Sequence, residues 1–315
     1  MSQLSAFARV LLGSVCLGLV AFSSVAMGSD GPLQLAFYAP MSPLPSAEAR
    51  YAFTEKLAQT LSRDGLQVQT KMFAKAADFE AQIKKGAVDL AVLDTLYAAE
   101  RGNYSVLAIA TAAGEPTLRW GLYTHETQGG ILDMAGKRLA WVSPTGKDAA
   151  YVGNILLYGE LKPSFFQLRP SAPDMTAAVS EVVLRRADCV FAPEPAVSGK
   201  SLRKVYDAGE GGRIPNPVLV SVSSRVTDAV ADQVRKSVQD FNATGTLDGF
   251  RTTGSAAEAV RVVRQKMRGR AERTFVLAEP SRLNTQVVSS IVAAPESNSS
   301  TLPLRALLMP TEGIP

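Results

Sequence analysis

Ser143-Pro144-Thr145-Gly146-Lys147 is the stretch whose residue types best suit the binding of a small anion. It lies between an apolar run, Arg138 to Val142, and a helix-forming run that begins near Asp148. Unpaired backbone N–H groups at a helix start, with two hydroxyls and a lysine beside them, can hold a phosphate, phosphonate, sulfonate or carboxylate. The same pattern also serves as a plain helix cap. A second polar tip, Asp94-Thr95, follows the apolar run Val88 to Leu93 and can either face a ligand or cap a helix starting around Leu96. Tyr38 ends a third apolar run, and Glu194 sits between Pro193 and Pro195, where a solvated side chain is the plainer reading. Other chemistry is poorly supplied. His125 is the only histidine, and Cys189 reads as a buried thiol in the strand Cys189-Val190-Phe191, so nucleophile–base pairs and His or Cys zinc sites are not expected. Asp94, Glu194 and Lys147 could work as acids or bases only with shifted pKa values. No cofactor, metal or catalytic set is expected.

The elements that must position these tips alternate. Residues 33 to 40 read as a strand. The following SAEARYAFTEKLAQTLSRDG is a helix capped by Ser46, with Ala49, Ala52, Phe53, Leu57 and Leu61 at helical spacing and a stop at Gly65. LQVQTKMF alternates as a strand, AADFEAQIKKG makes a helix ended by Gly86, and Val88 to Leu93 reads as a buried parallel strand. Strands follow at 105 to 111 and 119 to 124, joined by a turn containing Gly114 and Pro116. The second half repeats the scheme: helical turn 132 to 135, strand 138 to 142, a helix through Leu161, the strand FFQLRP, a helix from Asp174 to Arg186, and the strand at Cys189. A strand at KVYDAG, the segment IPNPVLVSVSS and an amphipathic helix from Thr227 come next. Such alternation predicts mostly parallel α/β sheets with helices on both faces, whose ligands bind at the carboxyl ends of the strands.

Composition fits an ordinary folded protein: 315 residues, 46% hydrophobic, 20% charged, enough for two lobes rather than one. A net charge of +4 suits an anionic ligand or partner and is too weak to argue for nucleic acid. Residues 1 to 28, with Arg9, the apolar run Val10 to Phe22 and small residues ending SSVAMG, have the layout of a secretory signal peptide cut after Ala26 or Gly28. An uncleaved membrane anchor is the competing reading.

The order of elements, with GAVDLAVLDT at 86 to 95, GILDMAGKRLAWVS at 130 to 143 and the return segment Pro215-Asn216-Pro217, resembles the type II periplasmic solute-binding proteins. The phosphate, phosphite and phosphonate branch of ABC-transporter binding proteins is the part of that family it is most similar to, over residues 33 to 254. The resemblance implies lobe 1 at 29–123, lobe 2 at 124–217, a return to lobe 1 at 218–254, and a hinge between lobes. Beyond it lie a basic helix at 255–278, with a solvated basic face, and a disordered tail at 279–315.

It further implies a periplasmic protein, expected to be a monomer, that closes on a small anionic ligand for an ABC-transporter permease. Tyr38, Asp94 and Thr95 would form one wall of the cleft. Ser143, Thr145, Gly146, Lys147 and Glu194 would form the other, with Glu194 placed where relatives keep an acidic residue for a ligand amine. Pro144 and Lys147 interrupt the family's run of hydroxyls, so the ligand's identity is not implied. The alternative is a sensor or accessory protein of the same fold that presents its state to a membrane signalling partner. Turnover of a bound ligand by an enzyme is the weaker rival.

Overall fold

The computed structural model describes residues 31–268, apart from Asn103, Gln128, Gly146, Lys147 and Thr253. The expected leader at 1–28, the far end of the basic helix and the tail at 279–315 lie outside the described residues.

The chain begins with β1 (Leu33–Tyr38), α1 (Ala47–Arg63), β2 (Val68–Met72), α2 (Ala76–Lys84), β3 (Leu90–Leu93), α3 (Thr95–Arg101) and β4 (Ser105–Thr111). Local chemistry sets the ends of these helices. Ser46 accepts from the Ala49 N–H at the start of α1, and Gly86 and Gly102 adopt the left-handed conformation at the exits of α2 and α3. The strands β1, β2 and β3 pair in parallel, with β1 in the middle. Alternate residues of β1 feed opposite faces. Leu33, Leu35 and Phe37 join a core with Phe53, Leu57 and Leu61 of α1, whereas Ala36 and Tyr38 pack with Phe79 of α2 and Tyr97 of α3.

The chain then passes to a second sheet through β5 (Thr117–Thr124), β6 (Arg138–Ala140), α4 (Asp148–Tyr151), β7 (Gln167–Leu168), α5 (Met175–Val183), β8 (Cys189–Pro193), α6 (Glu194–Val197), β9 (Arg203–Asp207) and β10 (Arg213–Pro215). It returns through β11 (Val218–Ser221), α7 (Asp228–Ser237), β12 (Gly249–Arg251) and α8 (Ser255–Met267). The first sheet has the order β12-β4-β11-β3-β1-β2, and the second β10-β5-β8-β6-β7 with β9 also on β5. The returning β11 runs antiparallel between β3 and β4.

Three sequence expectations are corrected. Strand β5 was expected to close lobe 1, but it pairs with β8, β9 and β10 in the second sheet. The reason is a tight turn at Ala112–Glu115, closed by two backbone hydrogen bonds of 2.9 and 3.0 Å, after which the two strands diverge instead of forming a hairpin. The helix expected to run through Leu161 is α4 followed by a π-helical stretch, Val152–Leu156, and ends before Tyr158 and Gly159, both at positive φ. The strand expected across 165 to 170 shrinks to Gln167–Leu168 on the edge of its sheet. The basic helix packs by the apolar side that its spacing predicts. Ala256, Val260, Val263 and Met267 are buried, and Arg264 donates to the carbonyls of Ala99 and Gly102 at the end of α3.

Candidate functional site

Both sheets aim strand ends at the cleft between them. Two chain crossings link them, at 112–116 and at Asn216–Pro217, and Asn216 knits these together. Its side-chain amide donates to the carbonyls of Ala110 and Glu115, each at 3.0 Å, and its backbone N–H donates to the Pro116 carbonyl.

The lobes meet along the loop after β1. The Tyr38 hydroxyl donates to the Pro144 carbonyl at 3.1 Å, the Met175 N–H donates to the Pro40 carbonyl at 2.9 Å, and Arg50 pairs with Asp174 at 2.8 Å. The cleft is therefore closed. What remains between the lobes is a cavity of about 20 Å³, large enough for a water-sized group. It is lined by Met41, Asp94, Trp120, Tyr151, Asn216 and Val263 among others, and its walls are mainly apolar.

Asp94 is the most unusual residue of this cavity. It occupies the capping position of α3, yet its side chain makes no cap and instead accepts from the Met41 N–H at 2.9 Å. The carboxyl is buried, and desolvation pushes its pKa up to about 7 against the opposing pull of the Met41 N–H and Arg50. From the other lobe, α4 delivers Tyr151. Its hydroxyl is buried without a hydrogen-bond partner among the described residues, and burial, then the Asp94 charge, raises its pKa well above the ordinary value. Tyr38 feels the same two influences in the same order and is likewise raised. It stacks on Phe79, with ring centroids 5.4 Å apart, and meets Tyr97 edge-on at 5.1 Å, so its direction is fixed by packing.

The residues singled out by sequence do not all meet in one place. Tyr38 and Asp94 meet at the cleft, Tyr38 through its bond to Pro144 and Asp94 in the cavity wall. Thr95 also lines the cavity, but its hydroxyl is engaged by the Asn216 carbonyl at the hinge. Ser143 and Thr145 are half-buried on either side of Pro144, and the Ser143 N–H donates to the Ser171 hydroxyl at 2.8 Å. Gly146 and Lys147 lie outside the described residues. Glu194 stands apart from the cavity lining. It opens α6 and pairs at 3.2 Å with Lys204, which also binds Asp207 at 2.8 Å.

Sequence reasoning missed Tyr151 and Trp120, and it singled out Asn216 only within the return segment Pro215-Asn216-Pro217. A weak signal existed for Tyr151, whose hydroxyl interrupts the apolar helix just after the candidate anion loop. Cys189 is buried in β8, where burial raises its thiol pKa to about 12.

Residues 36–261 match the family described as ABC transporter, phosphonate, periplasmic substrate-binding protein. No curated protein matches the chain by sequence. Among solved structures, a binding-protein component of an ABC phosphonate transporter from Pseudomonas aeruginosa superposes with a TM-score of 0.58 at 14% identity, covering 76% of this chain and 87% of that one. PhnD1 from Prochlorococcus marinus in complex with methylphosphonate gives 0.58 at 9% identity, over 75% and 98% of the two chains. A Xanthomonas citri protein bound to ATP gives 0.54 at 13%, over 76% and 98%. At such identities the likeness is one of fold, two α/β lobes with a hinge. The match over residues 36–261 places the chain in the family of periplasmic substrate-binding proteins of ABC phosphonate transporters.

Proposed function

We propose that the chain is exported by its leader, binds a small anionic solute of the phosphonate or phosphate class between its lobes, and passes it as a monomer to an ABC-transporter permease. Solute binding follows from the family. The observation that carries the placement of the site is that Asp94 from one lobe and Tyr151 from the other, both buried, line one cavity at the closed cleft. Ser143 and Thr145 flank Pro144, which Tyr38 grips, so the candidate anion loop lies at the same junction. The residue types of that loop, two hydroxyls with Lys147 nearby in sequence, favour an oxyanion. Asp94 and Tyr151 are the ionisable side chains among the described residues lining the cavity.

The test is a thermal-shift screen of residues 29–280 against phosphate, phosphite, methylphosphonate and longer alkylphosphonates, sulfonates and amino-acid-like anions. A ligand held by the native state raises Tm when present well above its Kd. The reading requires a shift with a phosphorus oxyanion that is lost on replacing Ser143 and Thr145 together by Ala. A folded protein that ignores the whole panel refutes it and favours the sensor or accessory role.

A further inference from the structure

Within the anion-binding reading, on which this rests, we infer that Asp94 and Tyr151 jointly hold one oxygen of the ligand, with one proton shared between the Asp94 carboxyl and that oxygen. The cleft then takes up a proton together with its anion. Phosphonate and phosphate oxygens suit it because they carry a proton readily.

The groups around Asp94 allow little else for an anion. From β1 comes the Tyr38 hydroxyl, committed to the Pro144 carbonyl. From the β1–α1 loop comes the Met41 N–H, on one carboxyl oxygen. From α1 comes Arg50, which acts on Asp94 at a distance and is itself paired with Asp174 at the start of α5. From α4 comes Tyr151, buried and with no partner for its hydroxyl among the described residues. From α8 comes the apolar Val263. Among the described residues no cation forms an ion pair with Asp94. An ionised carboxylate beside an oxyanion in such a desolvated place repels it strongly. A single proton turns that repulsion into a charge-assisted hydrogen bond, and the unpartnered Tyr151 O–H supplies a second donor to the same oxygen. The proton comes from solvent or arrives on the ligand; no covalent bond changes.

Calorimetric titration of methylphosphonate against the wild type and Asp94→Asn, from pH 5.5 to 8.5, tests this. The ligand's own ionisation cancels in the ratio of the two affinities. Expected is a ratio that is flat below about pH 7 and falls against the wild type by about tenfold per pH unit above it, since Asn keeps an uncharged donor. Tyr151→Phe should weaken binding about tenfold throughout. Repeating the wild-type titration at pH 8.5 in buffers of different ionisation enthalpy needs no variant and should give an uptake near one proton per ligand.

A pH-independent ratio, loss of methylphosphonate binding in folded Asp94→Asn at every pH, or zero proton uptake overturns the inference and indicates a ligand that brings its own cation to Asp94. Absence of binding by the folded wild type at any pH overturns instead the anion reading beneath it.

Discussion

At the residue scale, Asp94 dominates because burial holds its folded pKa at about 7, above its ordinary 3.8. Between those values the folded state binds a proton that the unfolded state has released, so ionisation costs stability as pH rises. The ligand-free wild type should therefore lose stability relative to Asp94→Asn between about pH 4 and pH 7, by a few kcal/mol at most. Paired urea melts at pH 4 and pH 8 check this. Equal stability at both values would show that the carboxyl is not desolvated. Asp89 presents the opposite case. It is fully buried but paired with Arg225 at 3.0 Å and bonded to the Gln34 N–H, so Arg225→Ala strands its charge and should cost about 3 kcal/mol in the same assay. The sequence displayed Asp94 and the Ser143 to Lys147 loop because polar residues at the ends of apolar strands stand out. It did not display Tyr151 or Trp120, whose importance depends on which faces meet after two lobes close. Glu194 looked equivalent to Asp94 in one dimension, yet it leaves the cavity to pair with Lys204.

At the element scale, the strand and helix order was readable from periodicity, glycine stops and caps such as Ser46 and Asp174. Strand partnership was less so. A short turn between β4 and β5 suggested neighbours in one sheet, and only pairing with β8 and β9 places β5 in the other. Helix α8 was legible as amphipathic, while its docking partners were not. It rests on α3 and β4 of the first lobe, and Asn154 from the π-helical stretch of the second donates to the Met267 carbonyl at 3.3 Å. Arg264→Ala removes two hydrogen bonds from a charged donor to α3 carbonyls and should lower stability by about 1.5–3 kcal/mol. Hydrogen exchange should then show faster exchange confined to α8 and the end of α3. A change spread evenly over both lobes would mean that α8 is not an independent strap.

At the scale of the whole molecule, two crossings and one cleft make a hinge. Asn216 fastens both crossings with three hydrogen bonds and accepts a fourth from Thr95, so it fixes the axis about which the lobes can turn. Polar contacts across the mouth run from Tyr38 to Pro144, Met175 to Pro40, Thr176 to Pro45 and Arg50 to Asp174, and a buried apolar cluster shared by both lobes lies behind them. The polar contacts exchange readily for water, so the apolar cluster and what the cleft holds together set how far it closes. The two-lobed plan was legible from the repeated helix-turn-strand logic of residues 84–102 and 174–195, but the closed arrangement was not, because no local pattern encodes it. Small-angle X-ray scattering of residues 29–280, with and without saturating methylphosphonate, measures closure directly. The account predicts that the liganded protein is the more compact of the two and that the free protein has a larger radius of gyration. Identical curves, in the presence of a ligand that raises Tm, would contradict capture by hinge closure.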